Sequence, residues 1–305
     1  MIRALVTGSD GFVGRHLTEH LVASGDDVSG FDRECDVTDR DAVARQVRAA
    51  APDVIFHLAA LTHVGASWTD PDETWRVNVA GTANVLSAAR DERSALVVVV
   101  SSADVYGVVG EADLPLREDH PVSPVSPYAR SKREAELVAL DAARTLGQRV
   151  VVVRPFNHVG PGQSTSFVVP ALASRLLAAK ASGASEISVG DLSARRDFSD
   201  VRDVVRAYRL VAEHGRRGEV YNVASGRDVL LTEVAATLVD LINPGTRLVA
   251  DPALSRPVEI PVLRGSARKL HDATGWEPRI NWTTSLHDVV NDLVARGLGG
   301  AKAPE

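Results

Sequence analysis

The stretch Leu5-Val-Thr-Gly8-Ser-Asp-Gly11-Phe-Val-Gly14 decides the fold. A short apolar run leads into it, and apolar residues at helical spacing follow it at Leu17 and Leu21. Glycine allows a tight turn and lets backbone N–H groups approach a pyrophosphate, while a helix N-terminus adds the positive end of its dipole. Three glycines at this spacing between a strand and a helix predict the phosphate-binding turn of a βαβ unit.

The rest of the first half alternates apolar runs with amphipathic segments. The strand-like runs cover residues 28–31, 53–56, 95–100 and 150–153, and the helix-like segments cover 39–50, 75–90 and 133–146. Continuous apolar strands separated by helices indicate a parallel sheet that is covered on both faces. We therefore expect an α/β fold with a Rossmann-type doubly wound parallel sheet.

The pattern changes after Arg154, where prolines and glycines mark a loop and helices and short strands mix less regularly. We predict a dinucleotide-binding domain over 1–156, with parts of 198–227 returning to it. A smaller α+β substrate-binding lobe is expected over 157–297 and a flexible tail over 298–305. A helix over 229–242 is expected to interleave with the first lobe.

Composition and charge narrow the class of partner. The 305 residues include 34 basic and 40 acidic ones, a net charge of −6, which argues against nucleic acid or an anionic membrane as the main partner. The single cysteine, Cys35, excludes an internal disulfide and a thiolate-rich metal site. Because we find no secretory leader and no apolar run near 18 residues, the expected compartment is the cytoplasm.

No metal site is expected. His16 and His20 stand at helical i, i+4 spacing, but Glu19 adjoins the second histidine, unlike the zinc-protease pattern. The remaining histidines show no ligand spacing.

The residues after the second strand-like run bear on the choice of dinucleotide. Asp32 lies 18 residues after Gly14, where a carboxylate hydrogen-bonds the adenine ribose and repels a 2′-phosphate. This favours NAD(H). Arg33 is adjacent and could pair with a 2′-phosphate, so NADP(H) stays open.

A second group of residues is suited to catalysis. Tyr128 and Lys132 stand four residues apart at the start of a helix, on one face. A nearby ammonium, together with a positive nicotinamide ring, lowers a tyrosine pKa, so the phenol can exchange a proton with a sugar oxygen. Ser102 follows the fourth strand and would face the cofactor crevice, where its hydroxyl could hold the substrate oxygen. Asp104 is either a second acid/base or a turn residue.

Taken together, these motifs resemble the extended short-chain dehydrogenase/reductases that act on nucleotide sugars. The matching pieces stand in family order: Thr7 to Gly14, Asp32, Asp36-Val37, His57-Leu-Ala-Ala60, Asn78-Val-x-Gly-Thr82, Ser101 to Gly107, Tyr128-x-x-x-Lys132 and Arg154-Pro-Phe-Asn157.

The resemblance implies roles for individual residues. Tyr128 would be the acid/base with Ser102 as its partner, and Lys132 would bind the nicotinamide ribose. The implied cofactor site consists of Gly8, Gly11, Phe12, Val13, Gly14, Asp32, Arg33, Asp36, Val37, Leu58, Ala59, Ala60, Asn78, Tyr128, Lys132 and Phe156.

The second half is similar to GDP-4-keto-6-deoxy-D-mannose reductases, which form GDP-D-rhamnose. A nucleotide diphosphate needs bidentate donors, for which Arg196 and Arg256 are suited, with Arg175 as a third candidate. Glu259 would hold the nucleotide ribose. The substrate residues implied are Ser102, Ala103, Asp104, Tyr128, Asn157, Val168, Arg175, Arg196, Arg256 and Glu259.

Three other functions stay open at the level of sequence. A 4-epimerase would use the same machinery with a retained NAD. So would a 4,6-dehydratase, although Ala103 stands where related glucose-type dehydratases carry a carboxylate. A non-catalytic dinucleotide-binding regulator is disfavoured by intact Ser102, Tyr128 and Lys132. The resemblance also implies a homodimer formed through the segments 75–90 and 127–146.

Overall fold

The structure is a computed structural model that describes residues 1–91, 95–254 and 260–297; the tail expected over 298–305 lies outside the described residues. The described strands are β1 (Arg3–Thr7), β2 (Asp27–Phe31), β3 (Val54–His57), β4 (Leu96–Val100), β5 (Val150–Pro155), β6 (Asn157–Val159), β7 (Glu186–Val189), β8 (Arg195–Asp200), β9 (Val220–Val223), β10 (Asp228–Leu230), β11 (Arg247–Ala250) and β12 (Val262–Leu263). The described α-helices are α1 (Phe12–Ala23), α2 (Arg40–Ala50), α3 (Val64–Thr69), α4 (Pro71–Trp75), α5 (Gly81–Asp91), α6 (Pro127–Leu146), α7 (Val168–Ser182), α8 (Val201–His214), α9 (Leu231–Ile242), α10 (Arg268–Thr274) and α11 (Trp282–Ala295).

A six-stranded parallel sheet organises the first lobe. Its strands lie in the order β2-β1-β3-β4-β5-β9, and each neighbouring pair is parallel. The order changes direction between β1 and β3, and in such sheets a ligand crevice lies outside the carboxyl ends of the strands at this point. The expected Rossmann-type α/β fold is confirmed.

Both faces of this sheet are covered by helices, which explains why β3, β4 and β5 are continuous apolar runs. On one face, Leu17 of α1 and Val204 of α8 are completely buried against the strands. On the other face, Val43 of α2, Val85 of α5 and Ala139 of α6 form a second core. The sheet therefore holds the amino end of α1 and the amino end of α6 at the same edge.

Two segments of the second half return to the first lobe. β9 forms the edge strand beside β5, and α8 packs beneath the sheet against α1. The helix expected over 229–242 does not return, so that expectation was wrong. α9 instead buries Val234 and Leu238 against α7 in a separate core. Helical periodicity identifies an apolar face but not the core that covers it, which is why the sequence misled here.

The second lobe is built around β8, which pairs with β10 on one side and with β12 on the other, while β6 also pairs with β8. The strands β7 and β11 form a separate parallel pair. The helices α7, α9 and α11 supply the core of this lobe. In the described part of the chain, no helix has the length and apolar character needed to cross a membrane.

Candidate active site

A cavity of about 800 Å³ lies between the carboxyl edge of the six-stranded sheet and the second lobe. Most of the residues predicted for cofactor and substrate line it. They are Gly8, Gly11, Phe12, Val13, Gly14, Asp32, Arg33, Asp36, Val37, Leu58, Ala59, Ala60, Ser102, Ala103, Asp104, Tyr128, Lys132, Phe156, Asn157, Val168 and Arg196. A ligand in this cavity would contact both lobes.

The glycine loop is shaped so that backbone can approach a ligand. Gly8 has a φ of +72°, and a Cβ added there would lie 2.9 Å from the amide nitrogen of Ala59. A Cβ on Gly14 would lie 2.1 Å from the carbonyl oxygen of Gly8, so the loop can rest directly on α1. Gly11 caps α1 without any side-chain hydrogen bond, which leaves the N–H groups of the first turn available to an anion. The loop therefore fits a dinucleotide pyrophosphate.

The end of the cavity next to the carboxyl end of β2 is lined by both acidic and basic side chains. The Asp32 carboxylate accepts a hydrogen bond from the amide of Asp10 at 3.1 Å, which ties it to the glycine loop. The exposed Arg33 lines the cavity beside it. Arg76, which the sequence did not suggest, also lines this end and pairs with Glu73 and, at 3.7 Å, with Asp36. This end can therefore meet either ribose hydroxyls or a ribose phosphate.

The amino end of α6 brings the predicted catalytic residues together. Ser126 caps this helix by accepting a hydrogen bond from the amide of Ala129 at 3.1 Å. Lys132, one turn into the helix, donates to the carbonyl of Val100 at 2.9 Å, at the end of β4. Ser102 follows that same strand end and hydrogen-bonds the Tyr128 phenol. The hydroxyl, phenol and ammonium thus share one wall of the cavity.

Burial dominates the pKa values of Tyr128 and Lys132 in the protein alone. Burial raises the pKa of Tyr128 well above its usual value, the negative charge of Asp104 raises it further, and the hydrogen bond with Ser102 offsets part of the increase. Burial also lowers the pKa of Lys132 to about 8, against the opposing influence of the Glu136 charge. In the protein alone, desolvation dominates at this fully enclosed phenol, and a lowering of the tyrosine pKa by the ammonium together with a nicotinamide ring stays a prediction for the complex.

A buried chain of hydrogen bonds runs behind the glycine loop. The Thr82 hydroxyl donates to the carbonyl of Asn78 at 2.6 Å, so it accepts from Nε2 of His57 at 3.0 Å. Nδ1 of His57 then accepts from the Thr7 hydroxyl at 2.8 Å. Burial, with a contribution from Lys132, lowers the pKa of His57 to about 3, so the ring stays neutral. This histidine is a structural link beneath the cavity.

Asn78, predicted for cofactor binding, does not line the cavity. Its side-chain amide donates to the carbonyl of Leu61 at 3.1 Å and to the Ser131 hydroxyl at 2.8 Å, and its oxygen accepts from the amide of Leu61 at 2.8 Å. The Ser131 hydroxyl in turn donates to the carbonyl of Tyr128 at 2.8 Å. Asn78 therefore connects the segment after β3 to α6 rather than meeting a ligand.

A buried ion pair supports the middle of the catalytic helix. Nε and Nη2 of Arg154 donate to the two carboxylate oxygens of Glu136 at 2.8 and 2.9 Å. Nη1 of Arg154 donates to the Tyr106 hydroxyl at 3.0 Å, and that hydroxyl donates to Asn222 at 2.7 Å. The network joins α6, β5, the turn after Ser102 and β9.

The substrate side of the cavity is only partly as predicted. Arg196 is buried in the wall, and its Nη1 donates to the carbonyl of Arg195 at 2.9 Å. Arg175 is not brought to the cavity, because its guanidinium donates to the carbonyl of Ser188 on β7 at 3.1 Å. Arg256 and Glu259 fall outside the described residues.

Two further cavity residues that sequence reasoning did not select have an unpartnered polar atom in the described part of the chain. Tyr208 on α8 and Gln163 after β6 both line the cavity, and each has a buried side-chain oxygen without a hydrogen-bond partner among the described residues. Tyr208 occupies a core-facing helical position, so its sequence pattern is that of an ordinary core residue. In the described ranges, no cluster of three or more histidine, cysteine or acidic side chains could hold a metal ion.

Comparison with known proteins gives consistent matches. The model of the NAD dependent epimerase/dehydratase family matches residues 4–224. The chain is 40% identical over 299 residues to GDP-6-deoxy-D-mannose reductase of Pseudomonas aeruginosa, an alignment that covers 96% of this chain and 98% of that one.

Solved structures agree with this pattern. The structure of RMD from Pseudomonas aeruginosa complexed with NADPH has a TM-score of 0.89 at 39% identity and covers 97% of this chain and 100% of that chain. The UDP-glucose 4-epimerase of Thermus thermophilus in complex with NAD has a TM-score of 0.85 at 29% identity and covers 95% and 98% of the two chains.

Proposed function

The chain belongs to the NAD dependent epimerase/dehydratase family, and on this premise we propose that it reduces the 4-keto group of a nucleotide-diphospho-4-keto-6-deoxyhexose. The substrate we favour is GDP-4-keto-6-deoxy-D-mannose, with GDP-D-rhamnose as the product. The observation that carries the proposal is the 40% identity, over almost the whole chain, to a GDP-6-deoxy-D-mannose reductase.

The arrangement of the cavity wall supports a separate role for each of three residues. A bound NADH or NADPH would supply the hydride. Tyr128 would deliver a proton to the sugar oxygen, and its raised pKa keeps the phenol protonated until it is needed. Ser102 would hold that oxygen and stabilise charge on it. Lys132 would orient the cofactor ribose with its ammonium, because its position is set by the carbonyl of Val100.

The nucleotide end of the substrate would lie toward the second lobe. Arg196 offers a guanidinium whose planar fork matches diphosphate oxygens, and Asn157 offers an amide near the sugar. Arg256 and Glu259 remain predictions for the diphosphate and the nucleotide ribose.

The proposal allows either NADPH or NADH as the hydride donor. Arg33 and Arg76 near Asp32 support NADPH, and a similar solved structure contains that cofactor. The Asp32 carboxylate supports NADH, and the similar epimerase structure contains NAD.

A 4-epimerase is the second candidate, because the similar UDP-glucose 4-epimerase has almost the same fold. An epimerase returns the hydride to the sugar and leaves its dinucleotide unchanged over a turnover. A reductase consumes one reduced dinucleotide for each sugar. Net oxidation of added cofactor therefore separates the two.

The proposed assembly is a homodimer formed through the segments 75–90 and 127–146. Trp75 and Leu137 support it, because these large apolar side chains are 52% and 42% exposed on the two segments. Light scattering after size-exclusion chromatography should give twice the mass of one chain. A monomer at micromolar concentration would contradict this assembly.

The test of the activity is a substrate and cofactor matrix. Purified protein is given GDP-linked or dTDP-linked 4-keto-6-deoxy sugars with NADH or NADPH, and cofactor absorbance and product are followed. We expect stoichiometric oxidation of cofactor with the GDP-linked sugar. Turnover of the dTDP-linked sugar alone would contradict the nucleotide assignment, and turnover of neither would contradict the reductase proposal.

A further inference from the structure

Tyr208 differs from the other tyrosines of the chain in the state of its hydroxyl. The other three hydroxyls have partners: Tyr106 donates to Asn222 at 2.7 Å, Tyr221 accepts from the amide of Arg216 at 2.9 Å, and Tyr128 pairs with Ser102. The Tyr208 hydroxyl is fully buried and has no partner among the described residues.

An unpartnered hydroxyl in an apolar core is unfavourable, and phenylalanine would fill nearly the same volume without it. The Tyr208 ring packs beneath the sheet with Val6, Val98 and Val153, none of which offers a polar side chain. Burial, with a smaller contribution from Tyr128, raises the pKa of Tyr208, so the hydroxyl keeps its proton. It is therefore a neutral group able both to donate and to accept a hydrogen bond.

The position of Tyr208 along the cavity narrows what it could meet. Because the strands lie in the order β2-β1-β3-β4, Asp32 after β2 lines one end of the cavity, the glycine loop after β1 comes next, and the catalytic wall after β4 lies toward the other end. Tyr208 lines the cavity, and its helix α8 contacts β4 and β5, the strands that end just before Ser102 and Phe156, which places it at the catalytic end. A dinucleotide with its pyrophosphate on the glycine loop and its adenosine toward Asp32 would bring its nicotinamide to this end.

The surroundings of that end are mostly apolar. Val100, Pro155 and Phe156 line it together with Tyr208. The carboxamide is the polar substituent of a nicotinamide ring, and it has both a hydrogen-bond donor and an acceptor. An apolar wall with the unpartnered hydroxyl of Tyr208 is complementary to a ring that has one polar substituent.

We propose that the Tyr208 hydroxyl hydrogen-bonds the carboxamide of the nicotinamide ring and thereby helps to set which way the ring lies. The inference rests on the proposed use of a pyridine dinucleotide, but not on the identity of the sugar. Tyr208 is a cofactor-binding residue in this account and takes no part in proton transfer.

The test compares Tyr208→Phe with the unaltered protein in binding, not in turnover. Dissociation constants are measured by calorimetry for NADPH and NADH, and for 2′-phospho-ADP-ribose and ADP-ribose, which lack the nicotinamide. We expect the variant to bind the complete dinucleotides about fivefold more weakly, the size of one neutral hydrogen bond. Binding of the two shortened ligands should be unchanged, because they lack the carboxamide.

Tyr221→Phe is the matched control, since it removes a buried hydroxyl that already has a partner and does not line the cavity. Without added ligand, Tyr208→Phe should unfold at the same or a higher temperature, whereas Tyr221→Phe should unfold at a lower one. Unchanged NADPH binding, equal weakening for the shortened ligands, or a loss of thermal stability like that of Tyr221→Phe would overturn the inference. If the unaltered protein binds NADPH but reduces no 4-keto sugar, the proposed function fails while this inference stands.

Discussion

Replacing Glu136 by leucine should show how much the buried charge on the catalytic helix contributes to the stability of the protein. Glu136 is completely buried and Arg154 is 3% exposed, and two hydrogen bonds of 2.8 and 2.9 Å join them. Glu136→Leu would leave the guanidinium buried without its counter-charge, at a cost of about 3–5 kcal/mol. With an unfolding entropy of about 2.1 cal/mol/K per residue over 305 residues, the melting temperature should fall by about 5–8 °C.

The measurement is thermal unfolding followed by circular dichroism, and the same helix provides the control. Asp141 and Arg144 pair at 2.7 Å on the surface of α6, where their side chains are mostly exposed. Asp141→Leu should change the free energy of unfolding by less than about 1 kcal/mol. The double variant Glu136→Leu with Arg154→Met removes both charges and should recover most of the loss. A cost below about 1 kcal/mol for Glu136→Leu, or a double variant no more stable than the single one, would refute the argument.

Three further predictions concern the cavity. Tyr128→Phe should retain dinucleotide binding in calorimetry but lose about 10²–10⁴-fold in kcat, and a near-normal kcat would remove Tyr128 from its role. Because burial lowers the pKa of Lys132 to about 8, its ammonium is present below that pH and lost above it, so kcat/KM should decline above about pH 8. A profile that stays level far above pH 8 would contradict this role of the ammonium. Arg196→Lys should raise the KM for the nucleotide sugar by about tenfold with little change in kcat, since a bidentate fork is lost, and an unaltered KM would place the diphosphate elsewhere.

Local patterns predicted the parts of the site that depend on near neighbours in the chain. The glycine loop, the Tyr128–Lys132 spacing and Ser102 after β4 each follow from one element and its junction, and the structure brings them to one cavity. The strand positions followed from apolar runs, because a doubly covered parallel sheet requires them.

Contacts between distant segments were beyond prediction. The pair Tyr106 and Asn222 is separated by 116 residues, and no spacing rule connects them. Arg175 was a reasonable phosphate ligand by residue type, but the packing of α7 against β7 gives its guanidinium a backbone partner instead. The shift of the Tyr128 pKa also depends on burial, which the sequence does not report directly.

Isotope transfer tests the central claim most directly. The protein is incubated with GDP-4-keto-6-deoxy-D-mannose and NADPH or NADH deuterated at C4 of the nicotinamide ring, and the sugar product is analysed by NMR and mass spectrometry. The account predicts one deuterium at C4 of the hexose and one oxidised dinucleotide for each product molecule. A product without deuterium, or an interconversion of sugars that consumes no added dinucleotide, would contradict it.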